Sequence, residues 1–275
     1  MTTLRVPSPG PWTIRPRTAV ASAIRRYLPA VFVFVVLMVV WEAVVPRTGR
    51  RPLPPPTQIA NALLTEGPTL YPAAWNTLYS ALGGLLIGTI AGVAVAFMAS
   101  RWVLARDVLL PLAVGASAVP LIALAPILNN WFGVLDPFSK MMMAALLVFF
   151  PITINVVRGL VEVQPQALEL MRSYAASDTQ LLRRVRIPNM LPYFFTALKV
   201  STTLAFIGAI VGEFFGGSTV VLGRLILKSI SGGRFDMAWA VIVLGSMAAI
   251  VSYLVVAFVE RLVIPWYVSM RDGAG

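Results

Sequence analysis

The fold of this protein is decided by long apolar stretches without charge, such as residues 76–99, NTLYSALGGLLIGTIAGVAVAFMA. A helix of about 20 apolar residues is long enough to cross the hydrocarbon core of a bilayer. We predict six such spans, at residues 28–45, 76–99, 108–128, 138–157, 193–215 and 237–259. The third span contains Pro111, Pro120 and Pro126, so we expect it to be kinked. The predicted fold class is an all-α membrane protein, a bundle of six transmembrane helices.

The composition of the whole chain agrees with this fold class and excludes several kinds of site. Of 275 residues, 58% are hydrophobic and 12% are charged, whereas soluble domains average about 45–50% and 25%. The chain has no Cys and no His, so it can form no disulfide, Ser-His-Asp triad or His-based zinc site. A membrane-embedded enzyme is a disfavoured alternative because the carboxylates are scattered. We therefore expect no catalytic residue, no bound metal and no cofactor.

The basic residues predict the orientation of the chain, because cytoplasmic loops retain positive charge. With the N-terminus inside, the cytoplasmic segments hold 14 arginines and the outer segments hold seven arginines and lysines. We expect both termini in the cytoplasm, with membrane lipid and no nucleic acid as a partner. The predicted parts are a disordered basic cytoplasmic tail (1–27), a transmembrane domain (28–267) and a C-terminal tail (268–275). A cleaved signal peptide is the disfavoured alternative for the first span, because no small-x-small site follows it.

Small residues at four-residue intervals predict close packing of two of the spans. On the second span they form one helical face, made of Ser80, Gly84, Gly88, Gly92, Ala96 and Ser100. The fifth span repeats the spacing with Gly208, Gly212 and Gly216. Packing within the bundle is the favoured interpretation, and a contact with another subunit is the alternative.

Charged residues inside the spans are few, although such residues are the usual sign of an ion or proton pathway. Glu213 falls near the outer end of the fifth span. It is either an interfacial carboxylate paired with a loop cation such as Arg224 or part of the mouth of a solute path. Lys140 and Lys199 are expected to snorkel to an interface. We therefore keep an ion- or proton-coupled secondary transporter only as an alternative function, because such a protein would usually show inverted repeats and buried ionisable groups.

The polar segment at residues 158–191, between the fourth and fifth spans, predicts a first short helix on the cytoplasmic side. Pro165 suits the first position of a helix, which would end near Tyr174. Glu169 and Arg172 stand three residues apart on it and can pair.

A second short helix is predicted to follow in the same segment. Ser177 and Gln180 have the spacing of a capping box, which would start this helix. We expect Pro188 to end it, because proline cannot donate a backbone hydrogen bond and disfavours helix before it.

The segment resembles the EAA loop of ABC-importer permeases, whose pattern is E-A-A, three residues, G, nine residues, I-x-L-P. Glu169 and Pro188 match the pattern, and Val185 and Ile187 are conservative replacements for its Ile and Leu. Leu170 and Met171 depart from it, because they stand where the family has two alanines. We call residues 158–191 the coupling segment. Ala175 stands where the family has glycine. If that glycine is a left-handed helix cap, alanine costs about 1–2 kcal/mol there, so we expect the turn between the two helices to be remodelled.

The resemblance extends over residues 53–267 and favours the nitrate/sulfonate/taurine branch of these permeases. The segments that carry it are LPPPT (53–57), EFFGG (213–217) and ERLVIPW (260–266), the last two leaning toward members that carry thiamine pyrimidine precursors or riboflavin. It implies a homodimer in the bacterial inner or plasma membrane, two ATP-binding subunits and an extracytoplasmic solute-binding protein. The chain has no G-x-x-x-x-G-K-[ST], so ATP would be hydrolysed by the partner and the chain itself would not be an enzyme.

Overall fold

The computed structural model describes residues 17–45, 52–101, 111, 113, 115 and 120–266, which are helical apart from turns and short connections. Its α-helices are α1 (Arg17–Val44), α2 (Pro56–Thr65), α3 (Gly67–Ala99), α4 (Ala125–Phe132), α5 (Pro137–Val161), α6 (Pro165–Ser173), α7 (Asp178–Leu181), α8 (Ile187–Phe214), α9 (Leu222–Ser231) and α10 (Phe235–Val263). A 3₁₀ turn (Leu121–Leu124) precedes α4, and a π-helical turn (Leu182–Arg186) joins α7 to α8. The described residues contain no β-strand, so the all-α fold class is confirmed.

Four helical stretches in the described part of the chain are long and apolar enough to cross a membrane. They are α3, α5, the continuous stretch Asp178–Phe214 and α10, and they coincide with the second, fourth, fifth and sixth predicted spans. The apolar part of α1, Leu28–Val44, is shorter. Most of the third predicted span lies outside the described residues, and its described end is the 3₁₀ turn and the start of α4. The count of six spans and the orientation of the termini stay predictions.

The ends of the chain differ in part from the predicted tails. Helix α1 begins at Arg17, so its first turns fall within the segment that we expected to be a disordered tail. Residues 1–16 and 267–275 lie outside the described residues.

Local sequence explains where several helices begin. Proline occupies the first helical position of α2, α5 and α6, where its missing N–H would have no partner and its φ is already set. Before α5, Asp136 is the N-cap, and its side chain accepts a hydrogen bond of 2.8 Å from the Phe138 N–H.

The centre of the bundle is α5, which packs between α3 and α8. A Cβ atom on Gly88 would lie 2.5 Å from the carbonyl oxygen of Ala145, and one on Gly208 would lie 2.7 Å from the Cα of Ala144. Gly84, Gly92 and Gly212 of these faces also contact α5, whereas Gly216 packs against Asn129 and Val134, which precede α5. Small residues let the backbones approach closely, which favours helix association in lipid. These faces are therefore filled by α5 of the same chain and are not free for a subunit contact.

A second core at the opposite end from the coupling segment joins α2, α9 and α10 to the start of α3. Its buried side chains include Leu70, Leu222 and Val241. Glu66 and Arg234 form an exposed ion pair of 2.7 Å at this end, and this hydrogen bond raises the pKa of Arg234. The second core holds α9 in place against α3 and α10.

Pro188 does not end a helix, contrary to the prediction. The chain stays helical from Asp178 to Phe214, because the π turn inserts before the proline. The Ile187 N–H donates to the carbonyl of Leu182, five residues earlier. The wider turn leaves room for the proline ring, which in a regular helix would clash with a carbonyl four residues back. Residues 178–214 are therefore one helical rod.

Candidate functional site

Helix α6 in the coupling segment stands away from the bundle. No residue of α6 is buried, and Leu170 and Tyr174 are 57% and 76% exposed. Glu169 and Arg172 are also exposed and form no ion pair with each other in the part of the chain that the structure describes. This helix therefore presents a largely exposed surface of mixed apolar and charged side chains.

The turn after α6 keeps the left-handed geometry that favours glycine, although its residue is alanine. Ala175 has φ +49°. Its N–H donates to the Arg172 carbonyl at 2.9 Å, and the Ala176 N–H donates to the Met171 carbonyl at 3.0 Å. This pair of hydrogen bonds is a Schellman motif, which satisfies the last carbonyls of the helix. The turn is therefore strained rather than remodelled, by about 1–2 kcal/mol for a non-glycine residue in this conformation.

The predicted capping box starts α7. The Ser177 N–H donates to Gln180 Oε1 at 2.9 Å, and the Gln180 N–H donates to Ser177 Oγ at 3.4 Å. Beyond α7, Leu182 packs against the buried core of the bundle, while Arg183 and Arg184 remain exposed. The remaining motif residues, Val185, Ile187 and Pro188, are half-buried. The apolar side of this stretch therefore faces the bundle, and its arginines face outward.

Asn189, which the sequence reasoning missed, ties the base of the coupling segment together. Its Nδ2 donates to the carbonyl of Gly159 at 2.8 Å and to that of Glu162 at 3.1 Å. These carbonyl groups lie at the end of α5, where no later N–H group of the helix can donate to them. A Cβ atom on Gly159 would lie 2.6 Å from the Cα of Met190, so α5 and α8 are in close contact there. The sequence does contain one indication of this role, because Asn189 is a polar amide directly after Pro188 at the start of an apolar span.

Glu213 lies at the other end of the helical rod and is buried, with 1% of its surface exposed. Its Oε2 accepts a hydrogen bond of 2.8 Å from the Gly223 N–H at the start of α9. The predicted pairing with Arg224 is wrong, because no ion pair joins the two within the described residues. The side chain points back to the bundle and caps α9 instead.

Neither lysine in the spans snorkels as predicted. Lys140 is 2% exposed, and its ammonium group donates to the carbonyls of Val134 and Asp136 and to Ser139 Oγ. Lys199 forms an ion pair of 2.6 Å with Glu260 across α8 and α10. The structure places Lys140 and Glu213 on the wall of one cavity of about 150 Å³. Two buried charged residues therefore lie beside the same cavity.

Comparison with known proteins decides the family. The family described as "Binding-protein-dependent transport system inner membrane component" matches residues 84–268. This chain belongs to that permease family. It is therefore a multi-pass protein of the cell membrane and one component of an ABC importer, whose other components include an ATP-binding subunit and a solute-binding protein. Permease components of this family are not enzymes themselves.

Several relatives of the permease carry names that agree with the branch inferred from the sequence. The formylaminopyrimidine transport permease protein ThiX of Halalkalibacterium halodurans is 32% identical, over 86% of this chain and 95% of its own length. The riboflavin transport system permease protein RibX of Chloroflexus aurantiacus is 35% identical, over 85% and 88%. The taurine transport system permease protein TauC of Escherichia coli is 28% identical, over 84% and 87%.

Proposed function

We propose that this permease moves a small solute, delivered by the solute-binding protein, through the membrane when the partner subunit hydrolyses ATP. The solute belongs to the classes named for its relatives: a sulfonate, nitrate, or a vitamin precursor such as a thiamine pyrimidine or riboflavin. The observation that carries the proposal is the continuous helix Asp178–Phe214. It joins the exposed coupling segment at one end to the buried carboxyl group of Glu213 at the other.

The coupling segment is the proposed docking surface for the ATP-binding subunit. Exposed Leu170 on α6 and Tyr174 directly after it supply apolar area. Glu169 and Arg172 supply charges that form no ion pair within the described residues. Aromatic anchors within a charged rim are typical of protein interfaces. The Schellman turn at Ala175 and the capping box at Ser177 fix α6 and α7 as rigid elements. A push on this surface is then passed into α8 through the half-buried residues Val185, Ile187 and Pro188.

The proposed assembly is a homodimer of six-span permeases on two ATP-binding subunits, with both termini and the coupling segment in the cytoplasm. Support for the orientation comes from the excess of arginine in the segments placed inside. The exposed apolar side chains along α1 and α10 would face lipid or the second copy. ATP is bound by the partner subunit, since the chain has no phosphate-binding loop of its own.

Purification of the tagged chain from its native membrane tests this function. We expect an ATP-binding subunit and a solute-binding protein to accompany it, and titration of that binding protein with sulfonates, nitrate, aminopyrimidines and riboflavin to identify the solute. Recovery of the chain with neither partner would contradict the proposal. Uptake that survives ATP depletion but stops when the membrane potential is removed would indicate a secondary transporter instead.

A further inference from the structure

A half-open cavity of about 860 Å³ lies between the last turn of α3 and the stretch that starts with α7 and continues into the π turn. Its lining combines apolar side chains with polar and charged ones: Phe97, Met98, Leu181, Leu182, Ser100, Arg101, Asp178, Thr179 and Arg186. Sites for organic ligands have volumes of about 300–1,000 Å³. The cavity is therefore large enough for the head group and glycerol backbone of a phospholipid.

The cavity lies at the depth where the hydrocarbon of a membrane ends. No residue from Gly67 to Ser100 is charged, and Arg101 is the first charged residue after them. Helix α3 has 33 residues, which at about 1.5 Å per residue exceeds a hydrocarbon core of about 30 Å. Basic residues directly after a membrane span lie at the level of the lipid head groups. The cavity is therefore placed among the head groups on the side of the coupling segment.

The two arginines of the cavity have no anionic partner within the described residues. Arg101 is exposed and Arg186 is half-buried, and neither forms an ion pair there. Asp178 is the one acidic side chain among the described residues of the lining, so two cations and one anion leave a net charge of +1. A cation that is partly removed from water without an acceptor is unfavourable. An anionic group between the two arginines would therefore be stabilised.

The apolar side of the cavity continues into an exposed stripe of α3. Phe97 and Leu182 pack against the buried core, so they form a fixed floor. Ile90, Ala94 and Met98 stand four residues apart on one face of the helix, and all three are exposed. Ile90 is 61% exposed and Met98 is 58% exposed. An acyl chain can lie along this stripe while the phosphate of the same lipid reaches the arginines.

We propose that this cavity binds an anionic phospholipid of the membrane, with its phosphate between Arg101 and Arg186 and an acyl chain along the exposed stripe of α3. Hydroxyl groups of a glycerol head group donate to the Asp178 carboxylate. Basic pockets between membrane helices are suited to anionic head groups. The bound lipid joins the end of α3 to the start of the helical rod, beside the coupling segment. This inference concerns the surrounding membrane and goes beyond the proposed transport function.

The first test compares two lipids on the wild-type permease, purified as the full chain and studied by native mass spectrometry. Phosphatidylglycerol is anionic, whereas phosphatidylcholine with the same acyl chains is zwitterionic and has no hydrogen-bond donor in its head group. Titration of each lipid gives its affinity from the fraction of permease that carries one lipid. We expect phosphatidylglycerol to bind about tenfold more tightly or more, because each arginine attracts the net negative charge.

A soluble competitor separates a lipid site from a site for free phosphate. sn-Glycerol 3-phosphate has the phosphate and the glycerol backbone but no acyl chain. We expect it to leave phosphatidylglycerol bound, because it gains nothing from the apolar floor and the exposed stripe.

Two double variants, each of which removes two positive charges, provide the third test. Arg101→Gln with Arg186→Gln removes both cations of the cavity, and we expect the affinity for phosphatidylglycerol to fall about tenfold or more. Arg183→Gln with Arg184→Gln is the matched control, because these arginines are exposed and do not line the cavity. The control should leave the affinity for the first bound lipid unchanged, and circular dichroism checks that both variants are helical.

Three results would overturn the assignment: equal affinities for the two lipids, displacement of phosphatidylglycerol by sn-glycerol 3-phosphate, or equal losses of affinity in the two double variants. Release of the bound lipid when the ATP-binding subunit is added would overturn it as well, because the cavity would then belong to the protein-docking surface. The wild-type comparison needs no variant, so a variant that fails to fold does not block the test.

Discussion

The two ends of the helical rod Asp178–Phe214 differ in how far their charged side chains are exposed to solvent. At the coupling segment the arginines are exposed or half-buried, and none forms an ion pair within the described residues. At the other end Glu213 and Lys140 are buried, and most of their polar atoms are bonded inside the chain. Charges held in solvent are available to another protein, whereas buried charges fix the shape of a cavity. The contrast therefore supports the proposal that the coupling segment, rather than the end at Glu213, is the surface for a protein partner.

Reversing a charge on the coupling segment is expected to have the largest effect. Glu169→Lys should reduce ATP-driven uptake to background, because it places a cation on the proposed docking surface beside Arg172. The protein should still insert, since Glu169 is exposed and supports no internal contact in the described part of the chain. Uptake into proteoliposomes of the complete importer, with membrane insertion checked by immunoblot, measures both. Glu169→Asp is the control, because it keeps the charge. Normal uptake by Glu169→Lys would contradict the proposed role of the coupling segment as a docking surface.

Filling the contact between α3 and α5 is expected to damage the bundle that holds the two ends together. Gly88→Leu places a side chain where even a Cβ atom would lie 2.5 Å from the Ala145 carbonyl. Overpacking of this kind costs about 1–3 kcal/mol and occasionally more, so we expect aggregation or a clear loss of thermal stability in detergent. Gly115→Leu is the control, because a Cβ atom there meets no described residue within 4 Å. Equal stability of the two variants would contradict the packing argument.

Removing the Asn189 side chain is expected to loosen the joint between the coupling segment and the bundle. Asn189→Ala loses two hydrogen bonds that link α8 to the end of α5, at a cost of about 1–3 kcal/mol. We expect ATP hydrolysis by the importer to continue while uptake per ATP falls. The control is Asn155→Ala, since the Asn155 side chain donates to the Pro151 carbonyl of its own helix and to no other described residue. Parallel losses of hydrolysis and uptake in Asn189→Ala would show a structural role alone.

Relieving the strained turn after α6 is expected to have the smallest effect. Ala175→Gly removes a left-handed alanine but gives the unfolded chain more freedom, so the net gain in the free energy of unfolding is about 0.5–1 kcal/mol. Thermal unfolding of the purified permease measures it. Ala176→Gly, beside it but without a positive φ, should instead be neutral or destabilising. A loss of stability in Ala175→Gly would show that the turn does not impose this strain.

Features set by neighbours in the sequence could be predicted from it. The start of α6 at Pro165 and the capping box of Ser177 and Gln180 depend on residues within one turn. Features set by distant contacts could not be predicted. Lys199 and Glu260 are 61 positions apart in the chain, and the partner of Glu213 depends on where α9 packs. Nothing near Glu213 in the sequence indicates that position.

Pro188 shows a third case, in which a sound local rule gave the wrong result. A proline ends a regular helix because its ring meets a carbonyl one turn back, and the prediction assumed a regular helix. The π turn before Ile187 changes the spacing of that carbonyl. The five residues LRRVR carry no strong sequence signal for such a turn.

The unbroken rod has a mechanical consequence. Its 37 residues extend over about 55 Å at 1.5 Å per residue. The rod is joined to α5 at two levels, through Asn189 near the coupling segment and through Gly208 near Glu213. Under the proposed function, a displacement at the coupling segment would therefore move α5 and the rod together, as one stiff pair of helices.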